Sequence, residues 1–130
     1  MRLTPTFAPR WLAVAAALAL AGTAVSAGEF NSGLQIEAGQ TFELGGGQAG
    51  GFTVTGRNTG SVAVVVLAKG EGEAAAVVKG RVEPGAAVDA AFGPDEMALL
   101  RNTSDSKTAR LKLKVRGDTS SLGMTYSANP

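Results

Sequence analysis

The chain has no cysteine and no histidine among its 130 residues. Without cysteine it has no disulfide, no thiolate metal site and no thiol to carry a lipid at a processed N-terminus. With histidine also missing, Ser-His-Asp and Cys-His nucleophile sites are excluded and zinc loses its usual ligands. Aromatics make up only 5%, which weakens any case for stacking on sugars or bases.

Carboxylates, lysines, hydroxyls and Tyr126 remain to do chemistry. Asp95 with Glu96, Glu71 with Glu73, Asp105 and Asp118 are the acidic candidates. All fall in expected turns or strand ends, where charge serves solubility. Adjacent carboxylates on a strand point to opposite faces, which is poor geometry for paired acid-base work. No Asp-rich loop has the oxygen spacing of a calcium site. The expectation is a non-catalytic protein with no metal and no cofactor. A small hydrolase built on carboxylates alone is the enzymatic alternative.

Charge of one sign is also missing. Lys and Arg total 12 against 11 Asp and Glu. Arg2 and Arg10 precede an uncharged Ala- and Leu-rich run, Trp11 to Ala21, and Val25-Ser26-Ala27 supplies small residues for cleavage. That order is a secretory signal peptide over residues 1–27. The apolar run is shorter than the roughly 20 residues that span a bilayer. No twin-Arg pair is present, so general secretion is the expected route. Cleavage after Ala27 leaves residues 28–130, or 130 − 27 = 103 residues, as one domain. It changes the formal balance to 10 − 11 = −1, which gives no support for a nucleic-acid partner. The mature part holds no transmembrane segment. An Ala- and Gly-rich, cysteine-free exported chain reads as bacterial, periplasmic or secreted.

What the mature chain does have is a series of short apolar segments divided by turn residues. "LQIEA", "TFEL", "GFTVTGR", "SVAVVVLAK", "EAAAVVKGRVE", "AAVDAAF", "EMALLRN", "TARLKLKVR" and "LGMTYSA" follow one another with Gly, Pro, Asn and Asp between them. This spacing indicates an all-β fold, a small antiparallel β-sandwich of Ig-like or jelly-roll-like type. "NTG" at residues 58–60 reads as a hairpin turn and Gly80 as a bulge. A membrane barrel does not fit, because most segments are too short and one face of "LKLKVR" is cationic. "GRNTGSVAVVVLAKG" and "LRNTSDSKTARLKLKVRG" form a weak internal echo, explained by two hairpins using ordinary turn residues.

Two motifs mislead. Gly45, Gly47 and Gly50 match G-x-G-x-x-G, but a strand pattern follows where a dinucleotide site needs a helix N-terminus. Asn102-Thr103-Ser104 matches the N-glycosylation acceptor, yet turn chemistry accounts for it.

Two surfaces are candidates for contact. From Ala109 to Arg116 apolar and cationic residues alternate, so Arg110, Lys112, Lys114 and Arg116 share one face at intervals of about 7 Å. Such a row suits an anionic envelope polymer, lipopolysaccharide or an acidic glycan. It also suits a solvated sheet face, an edge strand guarded by lysines, or a row neutralised by Asp89 and Glu96. The second surface is apolar on a face that should be wet: Ala63, Val65 and Leu67 with Ala75 and Val77. It is the candidate contact for a protein partner or a second copy. The functional expectation is an accessory, adhesion or assembly module working through surface contacts, with anionic-polymer binding as its alternative.

Overall fold

The computed structural model describes residues 27–70, 72 and 75–129. The expected signal peptide, apart from Ala27, lies outside the described residues, as do Glu71 and Glu73. Nine strands run through the described residues: β1 (Ala27–Ile36), β2 (Gln40–Gly45), β3 (Phe52–Asn58), β4 (Val64–Lys69), β5 (Val77–Val82), β6 (Ala87–Phe92), β7 (Met97–Asn102), β8 (Ala109–Asp118) and β9 (Met124–Ala128). No helix among those residues is long and apolar enough to cross a membrane.

The strands form two antiparallel sheets. The first has the order β1-β8-β3-β6, the second β5-β4-β7-β2-β9. Alternation decides which side chains go inward. In β8, Ala109, Leu111, Leu113 and Val115 are buried while Arg110, Lys112, Lys114 and Arg116 are exposed. Leu34 and Ile36 of β1, Val54 of β3 and Val88 of β6 join them from the first sheet. Phe42, Leu44, Val64, Val66, Ala98 and Leu100 come from the second. The all-β sandwich read from the sequence is the architecture found.

The connections differ from that reading. Only β4–β5 joins neighbours in one sheet; every other connection passes from one sheet to the other. The "NTG" and "NTSDSK" turns are therefore corners between sheets, not hairpins. The cause is a buried asparagine at each. Asn58 and Asn102 are both 0% exposed and end β3 and β7. Asn58 Oδ1 accepts from Gly60 N, and its Nδ2 donates to the carbonyls of Val62 and Val82. Asn102 Oδ1 accepts from Ser104 N, and its Nδ2 donates to Ile36, Glu37 and Lys107 carbonyls. Each amide turns the chain inward across the core edge and satisfies backbone groups there. The internal echo of the sequence is this repeated corner.

β1 is also longer than "LQIEA" suggests. It pairs with β8 from Ala27↔Asp118 to Ile36↔Ala109 without a break. Gly28, Asn31, Ser32 and Gly33 have low strand propensity and hide its first half in the sequence. The bulge expected at Gly80 is present: Val66 pairs with Gly80 and Leu67 with Val78, leaving Lys79 as the extra residue.

Candidate functional site

The cationic row lies on β8, which has β1 on one side and β3 on the other. It is not an edge strand, so lysines guarding an edge cannot account for it. Register places its neighbours. Across β1, Arg116 stands opposite Glu29, Lys114 opposite Asn31, Lys112 opposite Gly33 and Arg110 opposite Gln35. Across β3, Arg116 stands opposite Thr53, Lys114 opposite Thr55 and Lys112 opposite Arg57. Paired residues share a face, so these side chains form one polar surface on the outside of the first sheet.

Charge on this surface is uneven. Glu29 Oε2 lies 2.7 Å from Arg116 Nε, and its Oε1 is 4.0 Å from Lys114 Nζ. Asp89 is one strand further out, opposite Thr55 on β6. Glu96 is not on the face, because its Oε1 accepts from Gly93 N and caps the β6–β7 turn. The row is thus met by Glu29, which the sequence reading did not single out, and not by Glu96. At the other end the fold adds a cation. Arg57 sits directly opposite Lys112, and like charges so placed are destabilising. Its guanidinium leans away to donate to the Gly85 carbonyl at 2.6 Å. Asn31, Gln35, Thr53 and Thr55 supply neutral hydrogen-bonding groups around the cations.

A shallow cleft of about 400 Å³ opens between Lys112 and Lys114, bounded by Asn31, Gly33, Gly56 and Leu113. Its floor is backbone, because Gly33 carries no side chain over it. The signal that reveals β1's part in this face is its alternation. Phe30, Leu34 and Ile36 point to the core while Glu29, Asn31, Gly33 and Gln35 alternate outward. Ser32 on the inner side obscures the pattern.

No protein-family model matches the chain, and neither a curated protein nor a solved structure does.

The other candidate surface is split by the bulge. Val65 and Leu67 do lie on the face of β4 turned from the core, opposite Arg101 and Leu99 of β7. Leu67 and Ala63 are buried, Val65 is half-buried, and Ala75 and Val77 are exposed. The extra residue at Lys79 puts Val78, not Val77, beside Leu67. Val77 instead pairs with Ala68, a core residue, and stands at the sheet margin. The five residues do not form one patch.

The Gly-rich loop carries β2 into β3, from one sheet to the other, with no helix after it. Three of its amides are already used. Gly45 N donates to Gly123 O, Gly46 N to Gln48 Oε1 and Gly50 N to Asp118 Oδ2. Gln48, 0% exposed, ties the loop to the Gly93 and Glu96 carbonyls. A cleft of about 530 Å³ beside it is lined by Gly45, Gly46, Gly47, Lys69 and Met97 among others. With a strand and not a helix after it, the loop lacks the helix N-terminus that a dinucleotide phosphate site uses.

The carboxylates lie apart. Asp95 projects from the β6–β7 turn at φ 62°, Asp118 holds Gly50, and Asp105 is in the β7–β8 connection. No group of three or more acidic side chains able to hold a metal occurs among the described residues. Asn102, the glycosylation match, is buried with its amide committed to three carbonyls.

Proposed function

We propose that the chain is exported, loses residues 1–27, and works without catalysis by binding an anionic polymer of the cell envelope. The contact surface is the outer face of the first sheet: Arg110, Lys112, Lys114, Arg116 and Arg57, with Asn31, Gln35 and the β3 threonines. One observation carries this reading. Five cations occupy a central strand and its neighbour, where no edge needs protection, and one like-charge pair is placed side by side. A sheet that spends stability this way has a use for the charge. The strand order β1-β8-β3-β6 against β2-β7-β4-β5 supports the jelly-roll-like form of the sandwich over the Ig-like one, with β9 added beside β2. Such a fold offers a broad open sheet to an extended ligand.

Export is tested by the mass and N-terminal sequence of the protein recovered outside the cytoplasm. Gly28 at the N-terminus supports it; a retained Met1 overturns it. Binding is tested by retention on immobilised lipopolysaccharide or acidic glycan as salt rises. Release at moderate salt is expected, because exposed charges are screened within about 8–10 Å.

A second reading, self-assembly, rests on the edges of the second sheet. Val77 and Val78 are 63% and 64% exposed on β5, and Met124 and Tyr126 are each 50% exposed on β9. Exposed apolar edge strands favour pairing with another chain. Sedimentation as a monomer across a wide concentration range would remove it.

A further inference from the structure

Gly33 stands inside a ten-residue strand whose pairing with β8 has no register shift. Glycine weakens a strand interior, since it restricts more backbone freedom on folding and packs nothing against its neighbours. Folds keep it there for a positive φ, a bulge, or a backbone too close for a Cβ. None of these applies to Gly33. Its φ is not positive, and a Cβ built on it meets nothing within 4 Å. Gly56, near the same cleft on β3, is the contrast: its φ is 151°, and a Cβ there would collide with the Lys112 carbonyl oxygen. Gly56 is required by the sheet. Gly33 is required by nothing inside the fold.

The remaining reason for a strand glycine is close approach of a ligand. The space over Gly33 is the cleft of about 400 Å³ between Lys112 and Lys114. With Asn31 opposite Lys114 and the bare strand opposite Lys112, an anion can settle against the backbone with a lysine side chain on each side, one of which, Lys114, lies 4.0 Å from Glu29 Oε1. The two kinds of cation in the row suit different anions. An Arg fork matches a planar carboxylate, and Arg116 holds the carboxylate of Glu29. Lys is a compact point charge on a mobile stem and suits a tetrahedral oxyanion approached from two sides.

Building on the reading of this face as anion-binding, we infer that the cleft over Gly33 seats a phosphate group of a phosphorylated glycan. Lys112 and Lys114 neutralise it, and the Asn31 amide donates to it.

The test uses the purified protein and its Gly33→Ala and Gly33→Val variants. The probes are lipopolysaccharide, the same material enzymatically dephosphorylated, and polygalacturonate as a carboxylate polymer. Gly33→Ala should melt at or above the parent temperature, since a Cβ there has open space, and Gly33→Val, β-branched in a strand, should stay folded with a melting temperature near the parent's. Gly33→Val should weaken lipopolysaccharide binding by about tenfold, the loss of roughly one charge-assisted hydrogen bond, with Gly33→Ala between. Dephosphorylation should cost a similar factor, and combining it with Gly33→Val should add little. Parent-like binding by a folded Gly33→Val variant overturns the cleft as the seat while leaving the cationic face intact. Equal, Gly33-sensitive binding of polygalacturonate overturns phosphate as the ligand. Failure of the parent protein to bind either polyanion overturns the reading of the face itself.

Discussion

Glu29 and Arg116 meet across the β1–β8 pair, carboxylate Oε2 2.7 Å from guanidinium Nε. Both side chains are substantially exposed, so the pair adds little to stability, about 0.2–1 kcal/mol. Its larger effect is on the face. Glu29 occupies one end of the cationic row with an anion of the chain's own.

Replacing it should therefore free that end. Glu29→Gln is expected to leave the unfolding midpoint nearly unchanged and to tighten binding of an anionic polymer by up to about fivefold at low salt. The gain should shrink as salt rises. A titration against lipopolysaccharide at two ionic strengths measures it, and weaker binding by the variant would count against an internal competitor.

The two buried corner asparagines should matter far more to the fold. Asn58→Ala or Asn102→Ala leaves several buried backbone groups without partners, at a cost of about 3 kcal/mol each. Thr59→Ala, the exposed neighbour in the first corner, should stay within about 0.5 kcal/mol of the parent. Urea unfolding followed by far-UV circular dichroism compares all three.

Glycines on the first sheet should separate into two kinds. Gly56→Ala forces a Cβ onto the Lys112 carbonyl at a φ that side chains rarely adopt, and should cost about 3 kcal/mol or more. Gly33→Ala meets open space and should be neutral or stabilising by about 0.5 kcal/mol. Thermal melts of the two variants decide it; equal losses would contradict the distinction.

The fold class was legible because period-two alternation is local. "ARLKLKVR" places Leu111, Leu113 and Val115 inward whatever its neighbours are. Strand order was not legible, since pairing depends on contacts between distant residues. "NTG" reads as a hairpin until Asn58 is seen buried, with Val82 accepting from its amide 24 residues away. The same limit applied to the site. Four of its cations share one segment and were visible. Arg57, Glu29, Asn31 and Gly33 come from two other strands, and β1 was obscured by Ser32 and its glycines. The bulge at Lys79 was signalled by Gly80, but its consequence, exchanging Val78 for Val77 beside Leu67, follows only from the pairing with β4.

As proposed, the outer face of the first sheet binds polyanions through β8. Its most direct test is a salt series of lipopolysaccharide binding by the parent and by Lys112→Glu/Lys114→Glu. A Lys107→Glu/Arg81→Glu variant serves as control, since it makes the same charge change on exposed residues away from the face. Binding through this face implies salt-sensitive retention of parent and control, and a loss of about a hundredfold in the β8 variant with folding retained. Equal losses in both variants, or binding unaffected by either, would contradict it and return the row to the solvated side of a sheet.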